Sequence, residues 1–91
     1  VFLTTPGPFK KYGEQRGIDT PIAESSIAGS SLGLALAGKR PVAEMQFTDF
    51  AHMAFNQITN EIAKSRYRSN CAWPVPIFIP APIAGPAHGP L

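Results

Sequence analysis

Ten prolines punctuate this 91-residue chain, and most gather at its two ends: Pro6 and Pro8 near the start, and six from Pro74 to Pro90. Proline fixes φ and has no backbone N–H, so it interrupts helix interiors and central strands. A short helix within residues 2–12 is therefore expected to be broken at Pro6, Gly7 and Pro8, with Gly13 as a stop. Thr20-Pro21 turns the chain, and the proline- and glycine-rich stretch after Ile79 reads as loop. Regular structure is left mainly to the middle.

There the hydrophobic pattern changes character twice. Ser25 and Ser26 are candidate N-caps for a helix reaching about Ala37, with Gly38 beyond its end and Lys39 and Arg40 near the negative pole. Its residues are apolar or small nearly all round, which predicts burial on most sides. Ser25, Gly29, Gly33 and Ala37 repeat every four residues as a narrow stripe suited to close packing by a second helix. From Phe50 to Ser65 the period is helical, with Phe50, Met53, Ala54, Ile58 and Ile62 on one face and Asp49 placed to cap. Arg16–Asp19, Pro41–Phe47 and Val75–Ile79 are strand candidates. Strands alternating with helices predict an α/β fold built on a parallel sheet.

Length permits one small domain with a modest core. The net charge of +2 and the short basic run Lys64, Arg66 and Arg68 lack the extended, aromatic-interleaved stripe that nucleic acid requires. The uncharged run from Ser25 to Ala37 falls short of the about 20 residues a membrane span needs. No basic n-region precedes the first apolar residues, so no signal peptide is read. A single cysteine, Cys71, excludes an internal disulfide and any multi-cysteine zinc site, and is read as a plain thiol in a reducing compartment. No serine–histidine–aspartate or metal-ligand spacing is present, and His52 and His88 are read as structural or exposed. The chain lacks an initiator Met and reads as a piece of a longer protein.

Glu24 then stands out. It sits in "IDTPIAESSIAG", beside small and apolar residues, with no Lys or Arg close in sequence. Two readings are open: a carboxylate favoured by the positive end of its helix, or an acid used by a site. In an open parallel sheet ligands bind beyond the carboxyl ends of strands, where "TPIAES" and "QFTDF" would both fall. That places Glu24, Gln46 and Phe50 in one expectation.

The motifs "DTPIAE", "RPVAEMQFTDF" and "NEIAKSRYRS" follow one another in order, from Asp19 to Ser69. The run resembles the β subunit of the thiamine-diphosphate-dependent 2-oxo acid dehydrogenases, the decarboxylating components for pyruvate or branched-chain 2-oxo acids. The resemblance implies that residues 1–91 form part of a transketolase-like pyrimidine-binding domain without the family's carboxyl-terminal domain. It implies that Glu24 is the catalytic acid bonded to N1′ of the cofactor's aminopyrimidine. Ile22, Ala23, Gln46 and Phe50 would line the cofactor, and Phe47, Thr48, Asp49 and Phe50 would stand near the substrate pocket. Magnesium would be held with the diphosphate by an α subunit, so this chain would ligate no metal.

The implied partners are that α subunit and a second β subunit in an α2β2 assembly, and the acyltransferase core of a multienzyme complex, with no nucleic acid or membrane. The implied compartment is the cytoplasm of a bacterium, or a mitochondrial matrix or plastid. A transketolase or deoxyxylulose-phosphate synthase pyrimidine domain and a non-catalytic interaction module are the alternatives. The chain departs from the family pattern at Pro80, where arginine is usual, and in "IAGPA", where a glycine-rich loop is usual. The family's proton-transfer histidine lies in a later segment, so His88 is not given that role.

Overall fold

A computed structural model describes residues 6–83. His88 and the "IAGPA" stretch from Ala84 onward lie outside the described residues. The architecture is helical: α1 (Pro6–Tyr12), α2 (Glu24–Leu36), a 3₁₀ helix (Thr48–Ala54), a π segment (Gln57–Ile62) and α3 (Ala63–Arg68). Among the described residues none of the helices is long and apolar enough to cross a membrane.

Among the described residues the expected parallel sheet is not there. None of the three candidate strands forms, and the extended pairing among the described residues is an isolated parallel bridge between Val42 and Phe78. The hydrogen bonds show why. The N–H groups of Ala43, Met45 and Thr48 donate to the carbonyls of Phe78, Pro80 and Pro82 at 2.8, 2.9 and 3.0 Å. The Phe78 N–H returns one bond to the Pro41 carbonyl at 3.1 Å. A parallel ladder needs donors from both chains, and Pro80 and Pro82 have none to give. The second segment thus accepts along its length while returning a single bond, and the pair remains two extended segments in contact.

The helix ends follow local chemistry more closely. The prolines do not break α1. They occupy its first turn, where the amide they lack would have had no partner. Gly13 ends it with φ of +75° and an N–H to the Phe9 carbonyl at 3.0 Å. Helix α2 starts two residues earlier than a Ser25 cap would set, with Ala23 at the cap and no side-chain cap bond. Its far end is a Schellman motif. Lys39 N–H bonds the Leu34 carbonyl at 2.9 Å and Gly38 N–H bonds that of Ala35 at 3.0 Å, with Gly38 at φ +82°. Gly38→Ala forces an L side chain into the left-handed region and is expected to destabilise by about 1–2 kcal/mol, read as a lower thermal unfolding midpoint of the full-length protein. Helix α3 closes the same way with Asn70 at φ 52° and the Cys71 N–H on the Arg66 carbonyl at 2.8 Å.

Burial corrects two further expectations. Helix α2 is not enclosed on most sides. It buries one stripe, Glu24, Ala28, Ser31 and Ala35, and leaves Leu34, Leu36, Gly33 and Ala37 exposed. With apolar residues on every face, hydrophobicity does not select the inner side, and the small side chains go where a neighbour comes close. That neighbour is the helical run 48–62, packed against α2. The glycine stripe is a flank: Gly29 looks toward Gln57, and Gly33 faces open space.

The run from Thr48 to Arg68 is not the uniform α-helix its period predicts, and Asp49 does not cap it, since the cap position is Phe47. It begins with three residues per turn, then widens to the π form, in which the Ala63 N–H reaches the Ile58 carbonyl. The tighter pitch turns Phe50 and Met53 off the face of Ala54, so Met53 is 69% exposed while Ala54 is fully buried. Ile58 and Ile62 keep their places against the core. Polar side chains four residues apart link along the run: Asn60 donates to Asn56 at 2.9 Å and Lys64 to Asn60 at 2.6 Å. The core is the trio Ala28, Met45 and Ala54, with Ile27, Ile58, Ile62, Ile79 and Ala81 packed around it.

Candidate functional site

Glu24 opens α2, and the residue as a whole keeps only 8% exposure. The chain enters the helix there because Pro21 and Ala23 are outside it, and the Ile27 N–H makes the first bond to the Ala23 carbonyl at 2.9 Å. The helix's positive end favours the negative charge, by about 0.3–1 kcal/mol in exposed settings. Among the described residues Glu24 forms no ion pair; the one they contain joins Arg68 to Glu61 at 3.6 Å on the surface. No side-chain oxygen among the described residues is both sealed from solvent and unpaired, so the Glu24 carboxylate stays reachable by a donor.

The three residues expected to act together sit one step from the core trio. Glu24 lies one helical turn before Ala28, Gln46 follows Met45, and Phe50 lies four residues before Ala54. Ala28, Met45 and Ala54 pack mutually, so the backbone elements that carry the three candidates meet at the core, while Gln46 alternates away from inward-facing Met45 and Phe50 is turned off the face of Ala54. A tertiary hydrogen bond links the elements that carry two of them: the Ser25 hydroxyl donates to the carbonyl of Met53. Phe50 is 38% exposed and meets Phe47 edge to face, centroids 5.6 Å apart at 89°. Gln46 is half-buried.

Thr48 is engaged in holding the loop. Its hydroxyl donates to the Ala81 carbonyl at 2.9 Å and its N–H to that of Pro82 at 3.0 Å, which fixes the start of the 3₁₀ helix on segment 81–82. The Asp49 carbonyl lies 2.9 Å from Nδ1 of His52. Ile22 is 72% exposed. Ala23 lines an open pocket of about 290 Å³ with Thr20, Pro21, Ser26, Ile27 and Ser30; Glu24, Gln46 and Phe50 are not on its wall. Sequence reasoning missed Ser25, which it took as a cap. A bond to a backbone carbonyl 28 residues away leaves no mark in the sequence.

The whole chain, residues 1–91, matches the family described as the transketolase pyrimidine binding domain, and it belongs to that family.

Within it, the chain is 54% identical over its full 91 residues to the 2-oxoisovalerate dehydrogenase subunit beta of Bacillus subtilis (strain 168). It is 46% identical over 90 residues to the pyruvate dehydrogenase E1 component subunit beta of Staphylococcus epidermidis, and 44% over 90 residues to that of Bacillus subtilis. The alignments cover 99–100% of this chain, which spans 28% of the length of each of these relatives.

Proposed function

We propose that this segment supplies the aminopyrimidine-binding part of a thiamine diphosphate site in the β subunit of a 2-oxo acid dehydrogenase, working with an α subunit in an α2β2 assembly. The observation that carries the reading is the burial of Glu24 at the start of α2, without an ion-pair partner among the described residues, in a chain so similar to such subunits. The residues fit the group. Glu24 would hold a proton against the ring nitrogen N1′, and the low exposure of the residue limits competition from water for that bond. Phe50 offers a partly exposed ring for the pyrimidine to pack on, and Gln46 an amide for its edge. When bound, thiamine diphosphate supplies a thiazolium that accepts the electron pair left as carbon dioxide departs. Magnesium and the diphosphate belong to the α subunit.

The higher identity with the 2-oxoisovalerate relative favours a branched-chain 2-oxo acid over pyruvate as substrate. The test is thiamine diphosphate titration of the full-length β subunit assembled with its α partner. Saturable binding with turnover of a 2-oxo acid supports the reading, and absence of binding removes it. In the same assay Phe50→Ala is expected to weaken cofactor affinity roughly tenfold through loss of aromatic contact. Unchanged affinity takes Phe50 out of the site.

A further inference from the structure

We infer that Ser25 is a positioning residue of this site: its hydroxyl ties the turn that carries Glu24 to the turn that carries Phe50. The inference deepens the proposed function and rests on it for one of its two readouts.

Ser25 is the second residue of α2 and caps nothing in its own helix. It donates instead to the carbonyl of Met53. Met53 lies three residues after Phe50, and in a 3₁₀ helix residues three apart stack on one side. The bond therefore joins the Glu24 turn to the side of the helix that presents Phe50. It also falls where the pitch is about to widen, next to the Phe55 N–H that closes the 3₁₀ helix on the His52 carbonyl.

Packing alone leaves this register open. Where α2 crosses the 48–62 run, the fully buried residues of the two helices are the alanines Ala28 and Ala54, with Ile27, Ile58 and Ile62 partly buried beside them. The two alanines interdigitate little, and α2 carries apolar residues all round, so the three partly buried isoleucines resist a roll or slide of the helix only in part. A slip of one turn moves a side chain about 5.4 Å along the axis, enough to part Glu24 from Phe50. Hydrogen bonds are directional, and this one supplies the orientation that two alanines do not. Without it, binding itself must order the two turns, and that ordering cost comes off the affinity.

The test uses the full-length β subunit with its α partner and the variants Ser25→Ala and Ser25→Thr. Without cofactor, amide hydrogen exchange over residues 50–57 is expected to speed about fivefold in Ser25→Ala, from loss of one hydrogen bond, and to return to the parental rate in Ser25→Thr, which keeps the hydroxyl. With cofactor, Ser25→Ala is expected to bind thiamine diphosphate about fivefold more weakly while kcat at saturation stays within about twofold. In a Phe50→Ala background the further loss should shrink below about twofold, because the two changes act on one contact. Parental exchange rates in Ser25→Ala, or a threonine variant as impaired as the alanine one, overturn the inference. So does full additivity with Phe50→Ala. The exchange readout needs no cofactor, so a failed functional reading and a failed tie give different results.

Discussion

Glu24→Gln is expected to lower 2-oxo acid decarboxylation by the assembled enzyme roughly 10²–10⁴-fold, the span a positioned proton-transfer group contributes. Glutamine matches glutamate in size and still hydrogen-bonds, so the start of α2 and the packing of Ala28 below it should stand. What the amide lacks is an exchangeable acid proton for N1′. The loss should therefore fall on kcat, with cofactor affinity and α2β2 assembly altered far less. Turnover with an artificial electron acceptor, cofactor titration and size-exclusion chromatography separate the three quantities. A variant that turns over within about threefold of the parent would show that this carboxylate is only a buried first-turn charge, the plainer of its two readings.

Met45→Ala should have the largest effect on stability. Met45 is fully buried and is the largest side chain so enclosed among the described residues; its neighbours in the core, Ala28 and Ala54, are small. Truncation leaves a cavity between α2, the 48–62 run and segment 79–81, at a cost of about 2–5 kcal/mol. Domains of this size hold on the order of 5–15 kcal/mol in all, so the midpoint of urea unfolding should drop sharply. Met45→Leu keeps the volume and should cost under about 1.5 kcal/mol. A loss below about 1 kcal/mol for the alanine variant would mean that the surrounding isoleucines collapse into the space. Gln46 follows Met45 directly, so the same cavity should loosen the site before it unfolds the chain.

The helices were legible where a local rule acts alone. The Schellman end at Gly38 needs only a residue that tolerates positive φ, and the Asn56, Asn60 and Lys64 ladder needs only a spacing of four. Glu24 was legible as a first-turn acid, which the positive end of a helix favours. The parallel sheet was misread because the pattern of apolar runs records burial, whereas a ladder depends on who donates. Ala43 and Met45 do point inward as strand residues would, yet Pro80 and Pro82 accept bonds they cannot return. Phe50 and Met53 were misassigned to the core because their spacing fits the α pitch, and the backbone there adopts a tighter one.

By itself the sequence determined the order of the helices, the acid at the head of α2 and the motif series that assigns the chain to its family. Those properties are carried by neighbours within a few residues, or by identity along the whole chain. Tertiary structure alone decided which side of α2 is buried, how tightly residues 48–62 are wound, and that Ser25 reaches Met53. Each depends on an energy difference between nearly equivalent local states, small enough for contacts from distant segments to settle: Thr48 held on Pro82, Met45 filling the gap beside two alanines, one hydroxyl meeting one carbonyl.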